Sequence, residues 1–312
     1  MHEQRIISLL PSATEIVVAL GLQDQLVGRS HECDYPPEAL SLPICSQPKR
    51  LSKGTSPEIS REVRSILQEA LSIYRVDVDM IEALMPTHII TQSQCAVCAV
   101  SLTELREALS EYVRHDPIEM IDLQTASWDD ALENIRQVGD ALGVHQRGEQ
   151  LAEQMSMSLN EIVARTALSA SKPCVAHLEW IEPPMLAGGW TLELIEAAGG
   201  VNAFPASRNP WIRFEELVEL DPDKIIIAPC GFSIERAVED LPFLEQQPGW
   251  KDLKAAQNHE IVVCDGNHYF NRPGPRLIDS LEILAEIFHP DLFPAEHYNS
   301  GWIRLTSEQM VR

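Results

Sequence analysis

Residues 145–168 read HQRGEQLAEQMSMSLNEIVARTAL, and this stretch decides the architecture. It is rich in helix formers, has no proline and holds one glycine near its start, Gly148. Ser169-Ala170-Ser171-Lys172-Pro173 then closes it. At 1.5 Å per residue such a helix extends roughly 35 Å, about the width of a lobe. On both sides of it, short apolar runs alternate with helical patterns. Strands are expected at Arg5–Leu9, Leu26–Ser30, His88–Thr91, Ile118–Leu123, Cys174–Leu178, Lys224–Ala228 and Glu260–Cys264. Helices are expected at Glu15–Leu20, Ile59–Tyr74, Leu102–Tyr112 and Trp128–Leu142. Such alternation builds parallel βαβ units. A lone long helix between two halves of this kind reads as a rigid connector. The expected division is an N-terminal α/β lobe over 1–143, a connector helix over 144–170 and a C-terminal α/β lobe over 171–312, the stretch after Pro290 being a peripheral tail.

The halves echo each other. Glu15-Ile16-Val17-Val18-Ala19-Leu20-Gly21 matches Glu193-Leu194-Ile195-Glu196-Ala197-Ala198-Gly199. Further along, Asp79-Met80-Ile81-Glu82-Ala83-Leu84-Met85-Pro86 matches Glu215-Glu216-Leu217-Val218-Glu219-Leu220-Asp221-Pro222, each ahead of an apolar strand. In the second pair an acid opens a short helix that proline terminates. Two matches in the same order point to duplicated lobes. Ser12-Ala13-Thr14-Glu15 reads as a capping box for the first helix, with Gly21 ending it.

Composition narrows the partners. The chain has 312 residues, 45% hydrophobic and 23% charged, ordinary for a protein that buries a core and long enough for two domains. Forty-seven acidic against 24 basic residues give a net charge of −23. A field of that sign repels phosphate backbones and anionic lipid, which excludes nucleic acid as a favoured partner. No stretch reaches the apolar length of a membrane span. Met1-His2-Glu3-Gln4-Arg5 runs directly into a strand without a basic n-region or h-region, so the sequence as it stands reads as cytoplasmic, or as periplasmic or extracellular if a leader has been removed. Seven cysteines fit reduced thiols better than a disulfide framework. A monomer is expected.

Four segments carry a family likeness. Ser8-Leu9-Leu10-Pro11-Ser12-Ala13-Thr14-Glu15, Asp34-Tyr35-Pro36-Pro37, Ser207-Arg208-Asn209-Pro210-Trp211 and His268-Tyr269-Phe270-Asn271-Arg272 follow one another in an order and spacing that resemble the class III periplasmic binding proteins of ABC importers, closest to their cobalamin-binding branch. The resemblance covers nearly the whole chain. It implies an α/β fold of two Rossmann-like lobes with parallel sheets joined by a single long α-helix. It also implies non-covalent capture of cobalamin or a related corrinoid in the cleft between the lobes, for a permease partner. Ser52–Tyr74 departs from the family pattern, as do Cys33, Cys95 and Cys98, which lie outside its usual corrinoid contacts.

The chemistry of a corrin ring sets what a site must offer: aromatic faces for a flat, partly apolar disc and a few polar groups for its amide edge. By resemblance Tyr35 belongs to the first-lobe wall and Tyr269, Phe270 and Arg272 to the second. Trp180 and Trp190 flank the turn containing Pro183-Pro184-Met185 and Gly188-Gly189 just after a strand, where ligands of open α/β sheets collect. Aromatics there serve equally as core. His268 stands where the resembling proteins tend to carry an acid, and a neutral imidazole is a ligand for cobalt or iron. A hydrogen bond within its own loop is the competing role.

Two further constellations remain open. Cys95-Ala96-Val97-Cys98 follows one predicted strand and His31-Glu32-Cys33 another, so His31, Cys33, Cys95 and Cys98 are candidate ligands for zinc or iron. Free thiols are the alternative. Asp79 and Glu215 correspond to the carboxylates that, in the resembling proteins, pair with permease arginines. Helix-dipole stabilisation explains the same acids without a partner. The sequence contains no G-x-S-x-G, P-loop or H-E-x-x-H, so a binding protein rather than an enzyme is expected. The alternatives are a cytoplasmic metal- or haem-binding protein built on the cysteine and histidine cluster, and a corrinoid-modifying enzyme.

Overall fold

The computed structural model describes residues 4–48, 54–68, 74–92, 105–106, 109, 118–206 and 209–305, with the backbone alone at 64–68 and 74. The chain divides into two compact units, Met1–Lys53 with Arg61–Met155, and Gly54–Ser60 with Ser156–Arg312. The long helix runs His145–Thr166, and the division falls within it.

The first unit is built on strands β1 (Ile6–Ser8), β2 (Leu26–Arg29), β5 (His88–Gln92) and β6 (Glu119–Leu123), ordered β2-β1-β5-β6 and parallel throughout. A short antiparallel pair, β3 (Ser46–Pro48) and β4 (Tyr74–Val76), stands apart from that sheet. Ile7, Ile89, Ile81 and Leu105 form part of its core.

The second unit repeats the plan. Its strands are β7 (Cys174–Trp180), β8 (Met185–Leu186), β9 (Val201–Asn202), β10 (Lys224–Ile227), β11 (Ile261–Cys264) and β12 (Trp302–Arg304). The parallel series β9-β7-β10-β11 has the same connectivity as β2-β1-β5-β6, with β8 and β12 added as antiparallel strands. Strands covered on both faces need unbroken apolar runs, and Ile225-Ile226-Ile227 and Ile261-Val262-Val263-Cys264 are wholly buried.

Both sequence echoes have structural counterparts. The helices Pro11–Ala19 and Trp190–Ala197 are each followed by a left-handed glycine, Gly21 at φ 72° and Gly199 at φ 80°. The helices Val78–Leu84 and Phe214–Leu220 end on left-handed Met85 (φ 45°) and Asp221 (φ 47°), each followed by proline and then by β5 or β10. The residue before proline avoids the right-handed helical region, so each helix stops at the same point.

Several sequence expectations are corrected. The first helix begins at Pro11, without a side-chain cap, so Ser12 and Thr14 lie inside it. Proline fits the first helical position because its missing N–H has no helical acceptor there, and Thr14 instead donates its hydroxyl to Ser8 Oγ at 2.9 Å. The helix expected at Ile59–Tyr74 is Ser56–Gln68, opened by Glu58 accepting from Thr55 N and Oγ1 at 2.8 and 2.9 Å, while Tyr74 begins β4. Most of Leu102–Tyr112 lies outside the described residues. The stretch after Pro290 is no peripheral tail. It buries Phe293, Trp302 and Leu305 and supplies β12, which pairs with β11.

Candidate ligand site

The carboxyl ends of β7, β10 and β11 lie along one edge of the second sheet, since all three run parallel. Three loops leave that edge: Ile181–Pro184, Ala228–Phe232 and Asp265–Arg272. A loop at such an edge binds ligand well only if its backbone is fixed beforehand.

The last of these loops is fixed by Asp265. Its Oδ1 accepts from the backbone N–H of Asn267 at 2.9 Å and of His268 at 2.8 Å, and its Oδ2 meets His268 Nδ1 at 3.0 Å. One carboxylate thus sets both the turn and the orientation of the imidazole. An imidazole held through Nδ1 by a carboxylate is the arrangement in which histidine offers Nε2 to a metal. Gly266 locks the base of the loop: a Cβ there would stand 2.1 Å from Pro229 O, so the β10 and β11 loops touch backbone to backbone. Gly231 N and Asn271 Nδ2 both donate to Gly266 O, at 3.2 and 2.8 Å.

Phe270 and Arg272, expected at the ligand face, are instead internal supports. Phe270 is 1% exposed in a left-handed conformation (φ 65°), with its ring 5.0 Å from that of His177. Its backbone is held at both ends, N–H to Ser280 Oγ at 3.0 Å and O from Trp190 Nε1 at 2.7 Å. The buried Arg272 donates to Asn267 Oδ1 at 3.0 Å. Trp190 therefore braces the loop through its indole N–H. Tyr269 stays half-buried, edge-on to His268 and His297 and beneath the Arg276 guanidinium.

Trp180 ends β7 half-buried. It tilts against Phe232 at 5.2 Å and donates to Ser60 Oγ at 2.7 Å. Ser60 belongs to the segment Gly54–Ser60, which is tied to this unit by Ser56 N to Asp240 Oδ2 at 2.5 Å and Arg236 to Gly54 O at 2.6 Å. Beside Trp180, burial pushes the Glu179 carboxyl up to about 7, and that of Glu182 is raised for the same reason. Sequence reasoning passed over Glu179. An acid at the end of an otherwise apolar strand was the available signal. Trp211, 43% exposed and bridged to Met185, adds an aromatic surface on the same unit.

In the first unit Arg29, 6% exposed, shapes the segment that carries Tyr35 by donating to the carbonyls of Ser30, Cys33 and Leu40 at 3.0, 3.1 and 3.3 Å. Tyr35 is exposed and precedes a cis peptide to Pro36. His31 Nδ1 lies 3.1 Å from Ser46 Oγ, and burial lowers its pKa. Cys33 is fully buried with Sγ turned 3.9 Å from Ser8 O, a packing role rather than an accessible thiolate. Cys95 and Cys98 lie outside the described residues. Among the described residues, His31 and Cys33 join no grouping of metal-ligating atoms; the grouping that does occur is Asp279, Glu282 and His297. Asp79 and Glu215 are both exposed, each in the first turn of its short helix.

Comparison with known proteins fits this architecture. The profile of the family described as "Periplasmic binding protein" matches residues 6–267. The chain is 25% identical over 299 residues to the uncharacterized ABC transporter substrate-binding lipoprotein YvrC of Bacillus subtilis, covering 93% of this chain and 81% of that protein. It is 26% identical over 285 residues to the vitamin B12-binding protein of Vibrio cholerae, covering 89% and 87%. Among solved structures, the periplasmic heme-binding protein RhuT from Roseiflexus sp. RS-1 superposes with a TM-score of 0.68 at 26% identity, covering 92% of this chain and 98% of that one. Two similar parallel α/β units, a long helix from one to the other and a matched profile over most of the length lead to one conclusion: the chain belongs to the periplasmic binding protein family, as a non-enzymatic substrate-binding component of an ABC importer.

Proposed function

We propose that this protein captures a corrinoid of the cobalamin type and presents it to the importer's permease. The observation that carries the reading is the Asp265–Arg272 loop, preset by Asp265 and Gly266 so that His268 and Tyr269 stand at the carboxyl edge of the second sheet near the β7 end. Trp180 supplies an apolar face there, and Glu179, its carboxyl pushed up to about 7 by burial, keeps a protonated fraction at neutral pH that can donate a hydrogen bond to an amide edge. The likeness to the Vibrio cholerae vitamin B12-binding protein supports the same ligand. In this reading His268, oriented through Nδ1, is an axial ligand to cobalt, and Asp79 and Glu215 steer permease docking.

Calorimetric titration with cobalamin and with haemin, run separately, tests it. Saturable one-to-one heat with cobalamin and none with haemin is the expected result. The reverse result replaces the corrinoid by haem, a second reading favoured by the likeness to RhuT and by an imidazole's suitability for iron. The visible spectrum of the complex tests the axial contact: His268→Ala is expected to shift the bands, and an unchanged spectrum removes ligation.

A further inference from the structure

A second cluster of chemistry lies away from the carboxyl-edge loops, on the helix Leu277–Phe288 and the segment that follows it. Asp279, Glu282 and Glu286 recur at helical spacing, so they share one side of that helix. His297 comes back over them from the loop ahead of β12. Glu286, 4% exposed, is wholly committed: its carboxylate accepts from His297 Nδ1 at 2.7 Å, from Trp302 Nε1 at 2.8 Å and from the backbone N–H groups of Glu296 and His297. The clamp fixes the imidazole through Nδ1, and Nε2 lies 3.9 Å from Glu282 Oε2. Asp279, Glu282 and His297 each bring one ligand atom to within 4.8 Å of the others.

The clamp and the cluster are separate observations that agree. A metal-binding histidine ordinarily donates its other ring N–H to a carboxylate that is not itself a ligand, which fixes the tautomer and raises the basicity of the ligating nitrogen. Glu286 has that relation to His297. Bonds of about 2.0–2.2 Å bring ligand atoms somewhat closer than they stand here, and Glu282, with its half-exposed side chain, is free of packing that would oppose part of that movement. Of the three candidate ligands, Glu282 also lines a cavity of about 320 Å³, together with Glu286, Arg165, Phe293 and Glu296.

We propose that Asp279, Glu282 and His297 form a binding site for a divalent first-row transition-metal ion such as Zn²⁺, with Glu286 as the positioning residue for the histidine. One imidazole and two carboxylates suit Zn²⁺, Co²⁺ or Mn²⁺ and disfavour soft monovalent copper. Three protein ligands leave coordination positions for water. The site is independent of the corrinoid reading and stands or falls without it.

Titration of the chelator-treated full-length protein with Zn²⁺ and Co²⁺ tests the site. One equivalent is expected to bind, and Asp279→Asn/Glu282→Gln should weaken that binding by about tenfold or more, with Glu286→Gln weakening it about 10- to 100-fold. Co²⁺ bound here gives the spectrum of nitrogen and oxygen ligands, whereas a site using cysteines gives intense sulfur-to-cobalt charge transfer in the near ultraviolet. No uptake by the wild-type chain, uptake unchanged in the double variant, or a sulfur charge-transfer band from the first equivalent overturns the assignment. A measurement on the unmodified chain guards against a variant that does not fold: the imidazole carbon resonances of His297 should shift with the first equivalent of Zn²⁺, and their failure to move also overturns it.

Discussion

At the scale of single residues, Glu179 makes the protein's stability depend on pH. Its carboxyl titrates at about 7 in the folded chain because burial disfavours the charged form, against an ordinary 4.5. Between those values the unfolded chain gives up a proton that the folded chain keeps. The stability present below pH 4.5 is therefore lost as pH rises toward 7 and is not recovered above it. Glu179→Gln should remove up to about 3 kcal/mol of that loss, read as a smaller fall in unfolding free energy between pH 4.5 and 8 in urea titrations. The two left-handed helix ends make a sharper pair. Met85 is 63% exposed at φ 45° with a side chain that gains little there, so Met85→Gly should stabilise by about 0.5–1 kcal/mol. Asp221 has the same backbone, but its carboxylate accepts from Lys254 N at 2.7 Å, and Asp221→Gly loses that bond. Thermal melts of the two variants should move in different directions or by clearly different amounts. Neither effect was legible in the sequence, which shows only that both residues precede proline.

At the scale of elements, the Asp265–Arg272 loop shows how a motif can be recognised while the roles inside it are redistributed. His268-Tyr269-Phe270-Asn271-Arg272 reads in the sequence as a ligand segment, yet an aromatic or a cation in a loop reads the same whether it faces outward or inward. Phe270 turns inward where its own N–H and C=O groups are satisfied by Ser280 and Trp190 at a crowded strand end, and Arg272 turns inward to donate its guanidinium to the Asn267 side chain. The base of the loop tolerates no side chain on Gly266. Gly266→Ala should cost about 1–3 kcal/mol and lower ligand affinity with it, by denaturant titration and calorimetry together. Gly188→Ala is the control: a Cβ there meets nothing within 4 Å, so both quantities should hold. The strand and helix calendar of the chain followed hydrophobic pattern well where strands are central and buried. It missed β3, β4, β8, β9 and β12, which are two or three residues long and gain their definition from a partner strand rather than from their own pattern.

At the scale of the whole molecule, a net charge of −23 bears on encounter more than on fold. Exposed Asp79 and Glu215 open equivalent helices in the two repeated units, and under the proposed docking role each is a carboxylate that attracts a cationic permease surface. Reversing both, Asp79→Lys with Glu215→Lys, should slow association with the permease and weaken its salt dependence while leaving calorimetric ligand affinity unchanged. Altered ligand binding in that variant would assign these acids to the ligand site instead.

The sequence by itself determined the α/β class, the duplication and the long helix, because each rests on local periodicity, on proline and glycine punctuation, and on repetition along the chain. Tertiary structure alone decided which of these side chains are buried as scaffold and which stay exposed, and it alone brought His297 over Asp279 and Glu282. Those outcomes depend on residues distant in the chain competing for the same space and the same hydrogen bonds. No one-dimensional pattern records who wins that competition.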